Sequence, residues 1–371
     1  MAHQNAGLYI HVPFCTAKCC YCDFYSVSDL TLCDPWFDAL CREIALYRGQ
    51  FSTFDTVYIG GGTPTVLKPE RLDAMLQIVS RHFTIQSDAE ITIEANPQDI
   101  TVEMAHQLVA AGYTRLSLGI QSFDDTVLAF LTRRHTARDG VKAVYTAREA
   151  GFKTISIDLV YAVPGQTRAQ WHKTLVQAIA LAPEHLSCYQ LTVKDKTPLQ
   201  QRVVSGAVVM PDAEMEELFF MDTVSLLASS GYHHYEVSNF ARTAELVSRH
   251  NQKYWLHAPY LGLGPAAHSF QDAMRWWNVT SVKAYIERLQ NGDSAVAGGE
   301  KLTHEQLRAE RLMLGFRTRC GIEHSFFDRS QKSHAAIRHL AAAGLVRVRN
   351  GRVLPTTRGM LVADSMPHLF L

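Results

Sequence analysis

The chain has 371 residues, 47% hydrophobic and 19% charged, which is enough apolar material for a large core and a smaller second domain. Its 36 basic and 36 acidic residues balance, so no whole-molecule charge directs it to nucleic acid or to a membrane surface. No apolar run approaches the roughly 20 residues of a membrane span. The first residues lack the pattern of a secretory signal, so we expect a cytoplasmic globular protein.

The first two-thirds of the chain alternates short β-rich runs with amphipathic helical patterns. The predicted strands are Leu8–Val12, Thr56–Ile59, Glu90–Glu94, Arg115–Gly119, Thr154–Val160 and His185–Leu191. The predicted helices are Trp36–Tyr47, Pro69–Phe83, Val102–Ala111, Ala137–Ala150 and Ala169–Leu181, with Gly112 and Gly151 as C-caps. Six strands with helical crossovers predict an α/β fold, a partial (β/α)6 barrel with functional groups at the C-terminal ends of its strands.

Three cysteines follow the first predicted strand with the spacing Cys15-x3-Cys19-x2-Cys22. Three thiolates can hold three irons of a [4Fe–4S] cubane and leave the fourth iron open. The alternative is a structural zinc with Cys20 or His11 as the fourth ligand, although zinc sites usually bring a second ligand pair from elsewhere in the chain. We expect the other cysteines to be small buried hydrophobic residues: Cys33, Cys41, Cys188 and Cys320.

Glycines and polar residues lie at or after the ends of the other predicted strands. The sequence there gives Gly60-Gly61-Gly62-Thr63, Glu94, Gln121, Arg133 and Asp158. Consecutive glycines let the backbone approach a ligand, and carboxylates can accept from an amino group or a ribose hydroxyl. Each feature alone can be a turn or a helix cap. Their coincidence on the rim that carries the cysteines favours a site for a nucleoside-like cofactor.

The order and spacing of these motifs resemble the oxygen-independent coproporphyrinogen oxidase family of the radical SAM superfamily. The matching segments are Tyr9–Cys15, Tyr58–Thr65, Ile93–Pro97, Leu118–Phe123 and Ile157–Leu159. The resemblance implies that Cys15, Cys19 and Cys22 ligate a [4Fe–4S] cluster whose open iron chelates S-adenosylmethionine. It also implies that S-adenosylmethionine is bound by Tyr9, Tyr21, Gly61, Gly62, Thr63, Glu94, Gln121, Arg133 and Asp158.

Phe24 distinguishes the branches of this family. The coproporphyrinogen dehydrogenases carry a fourth cysteine two residues after the third, whereas this chain has Cys22-Asp23-Phe24, which is similar to the HemW group of heme chaperones. The segment Arg249–Trp255 also matches the His-Asn-x-x-Tyr-Trp signature of that group. By this resemblance, the residues that bind heme are His250, Tyr254 and Trp255.

The heme prediction also has a chemical basis, because imidazole ligates heme iron and aromatic rings stack on a porphyrin. The alternative is that His250 is a hydrogen-bonded core histidine. Rival ligands are His268, His233 and His234.

The last part of the chain changes character. Helical patterns at Ser281–Leu289, Thr303–Arg317 and Ser333–Ala343 lead to a hairpin around Asn350-Gly351, which predicts a small winged-helix-like domain. Three arginines make its wing basic, but a domain that covers the open side of the barrel is favoured over one that binds nucleic acid. The predicted domains are a radical SAM core at 1–236, a connecting heme-associated segment at 237–285 and a HemN-type C-terminal domain at 286–371.

The resemblance therefore implies a cytoplasmic heme chaperone that binds a [4Fe–4S] cluster, S-adenosylmethionine and heme, and transfers heme to an unidentified acceptor protein. The alternative is an oxygen-independent coproporphyrinogen III oxidase, which decarboxylates its substrate to protoporphyrinogen IX. Whether the chain is an enzyme stays open, although coproporphyrinogen dehydrogenase activity is not expected. We expect no nucleic-acid partner and no membrane span, and peripheral association with a membrane stays open.

Overall fold

Six parallel strands form the centre of a twelve-stranded sheet in the computed structural model, which describes residues 5–328 and 330–371. They are adjacent in chain order: β1 (Ala6–Val12), β2 (Thr53–Gly61), β3 (Thr84–Ala95), β4 (Arg115–Gln121), β5 (Thr154–Tyr161) and β6 (His185–Gln190). All six predicted strands are present, and the predicted partial barrel is confirmed.

Side chains alternate along these strands between the outer helices and the barrel interior. On β1, Leu8, Ile10 and Val12 are fully buried in the main apolar core. Tyr9 and His11 share the opposite face, where Tyr9 Oη lies 3.0 Å from His11 Nδ1. Because side chains on a strand alternate with a period of two, every second position of a barrel strand delivers a group to the interior.

Helices cover the outer face of the barrel. They are α1 (Cys33–Leu46), α2 (Pro69–His82), α3 (Val102–Ala111), α4 (Asp125–Phe130), α5 (Ala137–Ala150) and α6 (Arg168–Ala180). The predicted C-caps are confirmed, because α3 and α5 end at Gly112 and Gly151 with φ of 105° and 98°. The short helix α4 was not predicted, and Asp124 caps its N-terminus by accepting from two backbone amides.

The sheet continues beyond both edges of the parallel strands, which the sequence patterns did not predict. At the β6 edge follow α7 (Pro198–Val204), α8 (Ala213–Ser229), β7 (His233–Glu236) and β8 (Asn239–Ala241). At the β1 edge follow α9 (Arg249–Trp255), β9 (Tyr260–Leu263), β10 (His268–Gln271), β11 (Met274–Asn278), α10 (Val282–Gln290) and β12 (Val296–Lys301). Strands of four residues, such as β9 and β10, contain too few alternations to stand out in a sequence.

A smaller unit with its own apolar cluster follows β12. Its elements are α11 (His304–Gly315), β13 (Ile322–Glu323), α12 (Gln331–Ala342), β14 (Val346–Arg349), β15 (Arg352–Pro355) and α13 (Thr357–Leu361). The predicted hairpin is confirmed, with Asn350 and Gly351 at φ of 51° and 70° in the turn. The unit packs against the end of α9, where the Arg317 guanidinium lies 5.5 Å from the centre of the Trp255 ring.

Within the described residues, none of the helices combines the length and the apolar character that crossing a bilayer requires.

Candidate functional site

A cavity of about 470 Å³ opens at the C-terminal ends of the parallel strands. Its walls carry eleven of the twelve residues expected to bind the cluster or S-adenosylmethionine: Cys15, Cys19, Tyr21, Cys22, Gly61, Gly62, Thr63, Glu94, Gln121, Arg133 and Asp158. The twelfth, Tyr9, is not among the lining residues. The parallel direction of the strands explains the grouping, because their C-terminal ends meet on one rim.

The three predicted cluster ligands are half-buried in the loop that follows β1. The loop is fixed at its start, where the Cys15 backbone amide donates to the Val27 carbonyl over 3.0 Å, and across its centre, where the Cys22 amide donates to the Cys19 carbonyl over 3.2 Å. Two of the thiols contact side chains from other loops. Cys15 Sγ lies 3.5 Å from Thr63 Oγ1, and Cys19 Sγ accepts from Arg133 Nη1 over 3.3 Å.

Cys20 turns away from the cavity. Its backbone amide donates to Thr132 Oγ1 over 3.0 Å, its thiol donates to the Phe130 carbonyl over 3.5 Å, and burial raises its pKa. Its carbonyl accepts from the Leu199 amide on α7. His11, the other fourth ligand considered for zinc, has its Nε2 2.9 Å from the Tyr25 carbonyl. The structure therefore places neither candidate on the cavity wall.

The glycines at the end of β2 let the backbone pack against the cysteine loop, and Gly61 and Gly62 also line the cavity. The Gly62 amide donates to the Val12 carbonyl over 2.8 Å, and the Thr63 amide donates to the Phe14 carbonyl over 2.7 Å. A Cβ on Gly62 would stand 2.5 Å from the Phe14 carbonyl oxygen, and Gly61 has φ of 108°. These contacts hold the end of β2 against the loop that carries Cys15.

Two carboxylates, from strands β3 and β5 on either side of β4, face the cavity. Glu94 accepts from Tyr58 Oη over 2.6 Å and from the Gly61 amide over 3.0 Å, and Asp158 accepts from Ser117 Oγ over 2.9 Å. Burial raises the pKa of Glu94 to about 7, with the negative charge of Asp158 adding to the shift. Burial also raises the pKa of Asp158. A cationic group bound between them would favour both charged forms, so this wall suits an ammonium group.

Arg133 connects the cluster loop to two strand ends. Besides Cys19, its guanidinium donates to the Gly119 carbonyl over 2.8 Å and to Asn96 Oδ1, and Asn96 Nδ2 in turn donates to Thr63 Oγ1. Arg133 Nε is buried and has no hydrogen-bond partner among the residues that the structure describes. A buried donor without a partner is costly, and Arg133 is among the residues that line the cavity.

Gln121 ends β4 in a strained conformation. Its φ is 67°, and the pairing register between β4 and β5 shifts between Leu118 and Gln121. Such irregularities redirect a side chain at the end of a strand, and Gln121 lines the cavity.

The donor set at this cavity fits an iron–sulfur cluster and S-adenosylmethionine. Three thiols lie on one short loop, a guanidinium with an unpartnered donor stands beside Cys19, and two carboxylates with raised pKa lie on the facing strands. Phe24, where the dehydrogenases have cysteine, also lines this cavity, with 64% of its surface exposed.

The predicted heme residues lie on α9. His250 is 1% exposed, with Nδ1 3.0 Å from Thr56 Oγ1 and Nε2 2.9 Å from Tyr254 Oη. Burial lowers the pKa of His250 to about 3, so the ring is neutral. This geometry is that of the hydrogen-bonded core histidine weighed as the alternative, and an iron would have to replace one of the two hydrogen bonds. Trp255 is half-buried beside Arg317.

Sequence reasoning missed several residues of this site. Tyr58, Asn96, Ser117, Ser187 and Tyr189 all line the cavity. Tyr58 and Ser117 lie two residues before Gly60 and Gly119, and the two-residue period of a strand places each on the same face as that glycine.

Two family profiles match the chain. The Radical SAM superfamily profile matches residues 9–178, and the HemN C-terminal domain profile matches residues 302–362. The chain is 36% identical to heme chaperone HemW of Mycobacterium tuberculosis, over 100% of this chain and 96% of that protein. It is 33% identical to heme chaperone HemW of Bacillus subtilis, over 98% of each.

Among solved structures, coproporphyrinogen III oxidase (HemN) from Escherichia coli, a radical SAM enzyme, superposes with a TM-score of 0.86. The two chains are 25% identical in sequence, and the match covers 99% of this chain and 90% of that one. The similarity therefore extends over both the barrel and the C-terminal unit.

Proposed function

Because this chain belongs to the HemW family of radical SAM proteins, we propose that it is a heme chaperone, which binds a [4Fe–4S] cluster, S-adenosylmethionine and heme and passes heme to an acceptor protein. The observation that carries the proposal is its full-length similarity to HemW proteins of two organisms. The acceptor protein is unidentified. We propose that the protein lies in the cytoplasm and that its association with a membrane is peripheral.

The cavity supports the cofactor part of the proposal. Cys15, Cys19 and Cys22 would hold the cluster, which supplies an open iron and one reducing electron when it is bound. Arg133 offers a free donor for the carboxylate of S-adenosylmethionine, and Glu94 offers an acceptor for its amino group. Asp158 and Gln121 stand further along the same wall for the ribose, and the strands exclude water around them.

The proposed heme site lies on helix α9. His250, Tyr254 and Trp255 belong to one short helix, and Glu90 accepts from the backbone amide of His250 over 3.0 Å, which fixes the start of that helix. Heme ligation by His250 requires that Nε2 separate from Tyr254 Oη. The proposal therefore includes a local rearrangement of α9 when heme binds.

The proposal is tested by titrating heme into anaerobically reconstituted protein and following the Soret band. We expect saturable binding near one heme per chain and transfer to an apo-cytochrome b used as the acceptor probe. A protein that has an intact cluster but no saturable Soret change would contradict the chaperone function.

The second candidate function is oxygen-independent coproporphyrinogen III oxidation, which is favoured by the superposition on HemN over 99% of this chain. Phe24 argues against it, since the dehydrogenases carry a fourth cysteine there. The two functions differ in turnover, because the oxidase must consume S-adenosylmethionine with each decarboxylation whereas a chaperone need not.

A further inference from the structure

The net charge of the chain is zero because two oppositely charged parts cancel. Residues 302–371 contain eleven Lys and Arg but five Asp and Glu, whereas the whole chain has 36 of each. The C-terminal unit therefore has six excess positive charges, and the preceding residues have six excess negative charges. Within 329–363 there are seven basic residues and no acidic residue.

Three of these positive charges are exposed on two adjacent elements. Arg338 on α12 and Arg347 and Arg349 on β14 are exposed, and α12 packs against β14. Among residues 5–328 and 330–371, no ion pair involves any of these three arginines.

The secondary-structure elements that carry these arginines have the arrangement of a known fold. The order of α11, β13, α12, β14 and β15, with β15 between β13 and β14, is that of a winged helix. The exposed face of α12 carries alanines between its basic side chains, at positions 335, 341 and 342, so the helix can approach a partner closely. The wing tip is Asn350-Gly351, and Val348 is the exposed apolar residue next to it.

We propose that α12 and the β14–β15 wing form a docking surface for double-stranded DNA, with the helix in the major groove and the wing arginines on the phosphates. The B-DNA major groove, about 12 Å wide, admits a helix, whereas the major groove of duplex RNA is too narrow. Val348 is the exposed apolar side chain of this wing, and one valine between two arginines offers little apolar area to bury in a lipid bilayer, which disfavours a membrane. Sequence reasoning noted the basic wing but favoured a domain that covers the open side of the barrel; the charge of residues 302–371 and the exposure of Arg338, Arg347 and Arg349 favour the docking surface.

The test is fluorescence anisotropy of a labelled 20-base-pair DNA duplex with the full chain as a function of salt. We expect a Kd of about 10⁻⁵ M at physiological salt, as phosphate contacts alone give. R347E/R349E should weaken binding at least about tenfold and reduce the slope of log K against log salt by about two. R338E should weaken it as well, and duplex RNA should bind more weakly than DNA.

The matched control is R138E/K142E, which makes the same change of charge at two exposed positions of α5. It should leave DNA binding within about twofold of wild type, and circular dichroism should show that all variants fold. Equal loss in the control and the wing variant, or equal affinity for DNA and RNA, would overturn the proposal. Preferential binding to phosphatidylglycerol vesicles, lost in R347E/R349E, would overturn it in favour of a membrane surface.

Discussion

Replacing Tyr254 with Phe tests whether His250 ligates heme. The change removes the hydroxyl that lies 2.9 Å from His250 Nε2 and leaves the ring in place. A buried hydrogen bond contributes about 1 kcal/mol net, which corresponds to about fivefold in an equilibrium constant. If heme iron must displace this hydrogen bond, Tyr254→Phe should strengthen heme binding by up to about fivefold, whereas His250→Ala should weaken it strongly or shift the Soret band.

The assay is an anaerobic heme titration followed by absorbance. Because burial holds the pKa of His250 near 3, its ring carries no proton to lose between pH 5 and 8, and this ligand should add no pH dependence there. Thr56→Val is the matched control, since it removes the partner of Nδ1 and leaves Nε2 unchanged. Unchanged heme affinity and spectrum in both His250→Ala and Tyr254→Phe would refute the assignment and redirect the search to His268.

Three further outcomes follow from the cavity. Cys19→Ala should abolish the brown absorbance and the roughly four irons per chain of one cubane, whereas Cys20→Ala should retain both. Iron analysis of the two variants measures this difference. Loss of the cluster in Cys20→Ala but not in Cys19→Ala would contradict the ligand assignment. The pKa of Glu94 is raised from 4.5 to about 7, so its carboxyl group is protonated below pH 7 in the folded protein. The affinity for S-adenosylmethionine should therefore rise as the pH increases toward 7. Glu94→Gln should flatten that profile in calorimetric titrations. Arg133→Gln removes a positive donor from Cys19 and should make the cluster potential more negative in an EPR-monitored redox titration, while an unchanged potential would show that the contact has no electronic effect.

The parallel strands and the rim were predictable because they depend on local patterns. Six apolar runs separated by amphipathic helices indicate parallel strands, and parallel strands bring their C-terminal ends together, so the cysteine loop, Glu94 and Asp158 could be placed on one rim. The extensions at the two edges of the sheet were not predictable, because strands such as β9 and β10 are too short to show a period.

The partners of individual side chains lay beyond sequence reasoning. Thr56 and His250 are 194 residues apart in the chain and meet only because α9 packs against β1 and β2. The glycines at the end of β2 were interpreted as ligand-binding backbone, which stays a prediction, and no local pattern indicated that Gly62 also packs closely against Phe14. Both outcomes depend on distances between distant segments, which no local pattern contains.

The most direct test of the central claim is to incubate one anaerobic, cluster-containing sample with coproporphyrinogen III, S-adenosylmethionine and a reductant, and to titrate the same sample with heme. If the protein is a heme chaperone, we expect saturable heme binding without formation of protoporphyrinogen IX, because Phe24 stands where the dehydrogenases have a fourth cysteine. Formation of protoporphyrinogen IX, with stoichiometric release of 5′-deoxyadenosine, would contradict the chaperone function and identify the protein as the oxidase.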